Sequence, residues 1–194
     1  MRDFFHYPEE VYCKASQVIS LLRKEDPSGT FSSFHVRRTD FKKYYKPSNI
    51  LPEEVIENSK EHLHEGEVLY ISTDEKDHGV FDSVRTKYRI RFLSDYYEEA
   101  GVAELDSRTL GMLEQVIASH GRTFTGCWFS TFSAYILRLR GYLELPRHSS
   151  FYYQPSQMKH PHTYRLPSGP LWATEWAFGW EGIDNTGPPD PDAP

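Results

Sequence analysis

Thr30-Phe-Ser-Ser-Phe-His-Val-Arg-Arg-Thr-Asp-Phe41 is the most telling stretch of this chain. Phe31, Phe34 and Val36 are apolar and β-favouring, so residues 30–36 are predicted as a strand. The strand runs directly into Arg37 and Arg38, placing a basic pair at its carboxyl end. In open α/β sheets ligands bind beyond the carboxyl ends of strands. The pair therefore stands where a site forms if strands and helices alternate along the chain.

Alternation is what the flanking sequence predicts. Upstream, Val11, Ala15, Val18 and Leu22 recur at helical spacing, with Pro8 suited to the first turn, until Asp26-Pro-Ser-Gly29 stops the pattern. Downstream, Pro52-Glu-Glu54 opens a second helix whose acidic first turn suits the helix dipole, with Val55, Ile56 and Leu63 on its apolar face. Residues 67–72 read as a second strand. Either Thr73 or Asp74 can cap the helix that Phe81, Val84 and Tyr88 mark. Residues 89–93 form a third strand, and Leu110, Leu113 and Ile117 lie on the next helix. Residues 122–126 form a short fourth strand, after which Ser130 caps a helix carrying Tyr135, Ile136 and Leu139. The pattern predicts an α/β fold, a Rossmann-like parallel sheet flanked by helices.

A chain of 194 residues is long enough for one good core. Residues 1–153 are expected to form it, and the 15% aromatic share makes it aromatic-heavy. After Leu145 the prolines at 146, 155, 161, 167 and 170 exclude long regular elements. Residues 154–186 read as an irregular, aromatic-rich tail. Trp172, Trp176 and Trp180, spaced four apart, either clamp it onto the domain or stack on a sugar or base. Residues 187–194 are expected to be disordered. The net charge of -6 argues against a nucleic-acid partner or an anionic membrane surface, so any phosphate recognition is local. Cys13 and Cys127 allow at most one disulfide, and no apolar run has the length of a signal core or a membrane segment.

The chemistry-bearing residues fall at two of the predicted junctions. Arg37 and Arg38 offer planar, permanently charged forks that match phosphate oxygens. Asp40 either orients one of them or holds the pair in an ordinary surface network, and His35, if it points inward, can reach a base edge. Ser130-Thr131-Phe132-Ser133 stands where a strand gives way to a helix, whose unpaired N–H groups and positive dipole end favour an anion. The plainer alternative leaves Ser130 as a cap, with Thr131 and Ser133 solvated. His62-x-His64 and His160-Pro-His162 lack cysteines or carboxylates at a metal-binding spacing and read as solvated. No metal site is expected. Phosphate-loop and serine-hydrolase elbow motifs are absent.

Taken together, His35-x-Arg-Arg-x-Asp-Phe41, Tyr70-Ile-Ser-Thr-Asp-Glu75 and Ser119-His-Gly-Arg-Thr-Phe-Thr-Gly126, with Ser130-Thr-Phe-Ser133 behind it, resemble three motif regions of GDP-fucose-dependent fucosyltransferases. The likeness, over residues 30–141, is strongest to the protein O-fucosyltransferase family. Arg37-Arg-Thr-Asp40 is also similar to the corresponding segment of α1,6-fucosyltransferases, which leaves acceptor and linkage open. The resemblance implies the C-terminal, nucleotide-sugar-binding lobe of a two-lobed GT-B glycosyltransferase. Such a lobe serves transfer of fucose from GDP-fucose to a hydroxyl of a protein or glycan acceptor, with inversion and without a metal, in the endoplasmic reticulum or Golgi lumen.

Carried over by position, the resemblance gives Arg37 the β-phosphate of the departing GDP, with Asp40 supporting it and Arg38 beside it. His35 and Glu114 match guanine-recognising positions, Glu114 standing where many relatives have Asp. Ser130, Thr131, Phe132 and Ser133 match the phosphate and base-side loop, and Thr73 and Asp74 fall near the nucleotide. Asp190-Pro-Asp192 resembles the acidic pair of metal-dependent glycosyltransferases but falls in the tail. The Gly-rich, Asn-containing N-terminal lobe of the family has no counterpart in residues 1–29, so the expectation is a donor-binding lobe that needs a second lobe as partner. The alternative is a non-catalytic GDP-sugar-binding or interaction module descended from such an enzyme.

Overall fold

The structure is a computed structural model and describes residues 7–41, 49–128 and 130–154. Strands β1 (Ser32–Val36), β2 (Val68–Thr73), β3 (Arg89–Arg91), β4 (Phe124–Gly126) and β5 (Ser150–Tyr152) form one sheet. Its order is β3-β2-β1-β4-β5, and every pairing is parallel. Helices α1 (Glu9–Glu25), α2 (Pro52–Glu57), α3 (Leu110–Ser119) and α4 (Thr131–Tyr142), with a 3-10 helix over His78–Thr86, cover the sheet. The fold is a Rossmann-like α/β arrangement. The chain winds outward from β1 one way and from β4 the other, so the strand order reverses between these two neighbours. A crevice at such a reversal is where this architecture places ligands.

Alternate strand residues feed two cores. On one face Phe31, Val68, Tyr70 and Phe124 pack with Val11, Val18, Leu22, Leu113, Ile117 and Ile136. On the other, Phe34, Val36, Leu69 and Ile71 meet Val55, Ile56, Phe81 and Val84. Each such side chain is worth about 1.5–3 kcal/mol when fully buried, so the face assignment fixes the strand register firmly. Ser33 and His35 lie on the α3 and α4 face. Ser33 Oγ donates to the Ala118 carbonyl at 2.6 Å, drawing the loop after α3 against β1. Only glycine fits at Gly121 in that loop, because a Cβ there would stand 2.3 Å from Ser33 Oγ.

Several elements differ from expectation. The helix opened by Pro52 ends at Glu57, because Ser59 Oγ takes the Val55 carbonyl at 2.9 Å; Leu63 reaches its core after a separate 3-10 turn, Lys60–His62. Neither Thr73 nor Asp74 caps the next segment. Thr73 Oγ1 donates to the Val36 carbonyl and Asp74 crosses to the loop after β1, so Asp77 caps instead, accepting from Gly79 N–H at 2.9 Å. Phe81 and Val84 are buried as expected, but on a 3-10 helix. Strand β3 stops at Arg91, where Phe92 N–H donates to Asp95 and Leu93–Tyr96 winds into a 3-10 turn. Ser150–Tyr152 adds a fifth strand whose three residues are too few to show alternation.

His62 is not solvated: it stacks on Phe151 with ring centroids 3.6 Å apart, and His64 alone of that pair is exposed. Cys13 is an exposed free thiol and Cys127 a buried one, so the two do not pair. Among the described residues no helix is long and apolar enough to cross a membrane. Trp172, Trp176, Trp180, His160, His162, Asp190 and Asp192, with the tail boundaries at 186 and 194, lie outside the described residues.

Candidate functional site

The C-terminal end of β1 brings His35 to the crevice, and its register opposes His35 to Ser72 of β2. His35 is buried between layers. Its Nδ1 lies 2.7 Å from Ser133 Oγ, and its ring stacks on Phe132 at 4.4 Å between centroids. Burial, reinforced by the nearby Arg37 charge, lowers its pKa to about 3, so the ring is neutral at physiological pH. Glu114 stands on α3 with its carboxyl near the Ser72 hydroxyl. Burial raises its pKa to about 7, only partly countered by that neighbouring hydroxyl, so the carboxyl is poised between protonation states.

Beyond β1 the chain turns on one carboxylate. Asp74, immediately after β2, accepts Arg38 N–H at 2.7 Å, Thr39 N–H at 3.1 Å and the Thr39 hydroxyl. Arg37 Nε lies 3.3 Å from Asp74 and donates to Asp40 at 3.0 Å, and its guanidinium lies over the Phe41 ring at 5.4 Å. Its side chain is 34% exposed, so part of the fork faces solvent. Arg38 is turned under the loop instead: it is 7% exposed, and donates to Glu75 at 3.3 Å and to the Ile50 carbonyl at 2.9 Å. Thr73 likewise faces inward, holding Val36 and Glu75 together.

The start of α4 forms the opposite wall. Ser130 occupies the N-cap position with extended dihedrals (φ -96°, ψ 119°), but its side chain makes no capping bond to the first helical N–H groups. Ser130 and Ser133 are buried, Phe132 is half-buried and Thr131 is exposed. Ser133 Oγ accepts Cys127 N–H at 2.8 Å, folding the turn back on the helix. Gly126 permits this, since a Cβ there would come within 2.8 Å of Ser133 Oγ.

The region around the carboxyl ends of β1 and β4 therefore carries a permanent cation, a helix N-terminus, a neutral imidazole and a carboxyl near its titration midpoint. Such a set can hold an anion and read hydrogen-bonding edges. A match to the family model described as GDP-fucose protein O-fucosyltransferase spans residues 1–143. The chain belongs to this family. No curated protein sequence matches it significantly. All of His35, Arg37, Arg38, Asp40, Thr73, Asp74, Glu114 and Ser130–Ser133 lie inside the span that defines this O-fucosyltransferase-family member. The structure brings His35, Phe132 and Ser133 into contact, and Arg37, Asp40 and Asp74 into a second group.

Sequence reasoning missed other contributors to this family member's crevice. Ser72 follows from strand register alone, which a single sequence does not fix. Tyr153 and Gln154 follow β5 and touch the β4–α4 turn, and no local feature of the sequence marks them.

Proposed function

We propose that the crevice binds GDP-fucose and that this chain is the donor-binding lobe of a GT-B fucosyltransferase acting on a hydroxyl of a protein or glycan. The observation that carries this is that Arg37 follows β1 directly and the start of α4 follows β4, the two neighbouring strands between which the order reverses. As the glycosidic bond to fucose breaks, negative charge grows on the departing β-phosphate. A preorganised guanidinium and helix N–H groups stabilise that charge without reorganisation, and the proposal needs no metal for the step. Asp40 and Asp74 hold the Arg37 fork, while Arg38 braces the loop from below. Deprotonated Glu114 accepts guanine N–H donors, with His35 and Phe132 forming the base-side wall.

Acceptor activation falls to groups outside this set. Asp40 and Asp74 are both engaged by Arg37, and Glu114 is assigned to guanine, which leaves none of the three for acceptor activation. That observation favours a partner lobe for catalysis. It also keeps a second reading, a non-catalytic GDP-sugar-binding module. Titration calorimetry of the chain with GDP, GDP-fucose, UDP and ADP tests the donor site. GDP and GDP-fucose are expected to bind and the other two to bind at least tenfold more weakly; equal or absent binding of all four overturns the assignment. Fucose release measured with and without a supplied N-terminal lobe separates enzyme from binding module.

A further inference from the structure

The turn from β4 into α4 is held from outside the stretch that the family match covers. Gln154, 0% exposed, reaches it from the end of β5. Its Oε1 accepts Trp128 N–H at 2.9 Å, and its Nε2 donates to Cys127 Sγ at 3.1 Å. A buried amide oxygen that accepts a main-chain N–H fixes the backbone of a turn whatever side chains the turn carries. The platform beneath Gln154 is itself anchored on two sides. Tyr153 N–H donates to the Gly126 carbonyl at 3.2 Å, and the Tyr153 carbonyl accepts from Asn58 Nδ2 at 3.1 Å.

Within the turn, Cys127 N–H goes to Ser133 Oγ and Ser130 N–H to the Cys127 carbonyl at 3.1 Å. The N–H groups of Cys127, Trp128 and Ser130 are thus consumed inside the protein. An anion at this wall is left the first N–H groups of α4, and their direction follows from the path of the turn.

We infer that Gln154 is a positioning residue that, through Trp128, aims the start of α4 at the diphosphate of the nucleotide; the inference rests on the donor-site reading above. Gln154 contacts the turn and leaves the ligand to α4 and Arg37. Losing it loosens the anion-facing wall while leaving the base-side contacts of Glu114 and His35 in place.

Gln154→Met keeps the side-chain length and removes both hydrogen bonds, and Gln154→Asn withdraws the amide by one carbon. Two measurements on the full chain decide the matter: affinity for GDP against guanosine, and hydrogen exchange of the Trp128 amide without nucleotide. Both variants are expected to exchange that amide about tenfold faster and to bind GDP about tenfold more weakly, the loss of roughly one buried hydrogen bond, with guanosine affinity within about twofold. Unchanged exchange at Trp128 overturns the inference, as does an equal fall in GDP and guanosine affinity. If one variant fails to fold, the other carries both measurements. Should the unaltered chain bind neither GDP nor guanosine, the donor-site reading fails separately, and Trp128 exchange still decides whether Gln154 holds the turn.

Discussion

His35 Nδ1 stands 2.7 Å from Ser133 Oγ, and this single bond joins the end of β1 to the first turn of α4 across the reversal of the sheet. Ser133 Oγ also accepts from Cys127 N–H, and its second lone pair and its hydrogen suit either tautomer of His35. Burial keeps the ring neutral in both cases. One hydroxyl thereby ties a strand, a turn and a helix.

Ser133→Ala should therefore destabilise the fold. It leaves a buried main-chain N–H and a buried ring nitrogen without their partner, at a cost of about 1–3 kcal/mol. In a chain of this size each kcal/mol lowers Tm by about 2–4 °C. Gly126→Ala should cost a similar amount from the opposite side, since its Cβ would meet Ser133 Oγ at 2.8 Å and Ser133 Cβ at 2.9 Å. Thermal unfolding followed by circular dichroism checks both, and two unshifted transitions would contradict the bridging role.

Arg37→Ala should weaken GDP binding while sparing the fold. Hydrogen bonds to charged groups contribute about 1.5–3 kcal/mol, which predicts a loss of roughly 10- to 150-fold. Its partners are partly exposed carboxylates, so stability should change by no more than about 1 kcal/mol. Arg37→Lys should recover only part of the affinity, because an ammonium lacks the fork. Arg38→Ala should invert this pattern, lowering stability by about 1–3 kcal/mol, since it removes a buried ion pair to Glu75 and the donor to the Ile50 carbonyl. Calorimetry paired with urea unfolding separates the two arginines.

That inversion marks the boundary of what the sequence made legible. Strand-helix alternation and the apolar spacing at Val11, Ala15, Val18 and Leu22 gave the parallel sheet and α1, because burial enforces those periods. His35 facing inward, Asp40 beside Arg37 and the helix start at Ser130–Thr131 were also legible, each being a local consequence of strand pleat, short spacing or capping preference. The division of labour between Arg37 and Arg38 was not. It depends on Asp74 pulling the loop across from the next strand, a contact 36 residues away in sequence. Strand β5 and Gln154 were hidden for the same reason. Three residues carry no period, and an amide that serves a distant turn looks like any other glutamine.

Stability should respond to pH through buried His35 and half-buried Glu114 with opposite signs. The folded state raises the pKa of Glu114 from 4.5 to about 7, so it binds more protons than the unfolded chain in that interval, and stability falls as pH rises from about 4.5 to 7. His35 is lowered from 6.5 to about 3, so the unfolded chain binds more protons there, and stability falls as pH drops from about 6.5 toward 3. Glu114→Gln should remove the first slope, worth at most about 3 kcal/mol, and His35→Asn the second. GDP affinity of the unaltered chain should also rise through pH 7 as Glu114 becomes an acceptor for guanine. Urea midpoints and GDP titrations from pH 5 to 8 check these signs; a Glu114→Gln profile parallel to the unaltered chain would refute the first.

Arg140 anchors the far end of α4, and its loss should be the most damaging of these substitutions. The side chain is 1% exposed and donates to the carbonyls of Ser119 at 3.1 Å, Gly121 at 2.6 Å and Ser149 at 3.2 Å, and to the hydroxyls of Ser149 and Ser150. Burial lowers its pKa to about 10, so it remains charged at physiological pH, its guanidinium solvated by these oxygens. Arg140→Met keeps much of the volume but strands several acceptors at once, predicting a loss of about 3 kcal/mol or more. Arg140→Lys should restore less than half of it, because one ammonium cannot span carbonyls from the α3–β4 loop and from the approach to β5. Urea unfolding with a constant m-value reads the loss directly, and a change below about 0.5 kcal/mol for Arg140→Met would show that α4 is held by its apolar face alone.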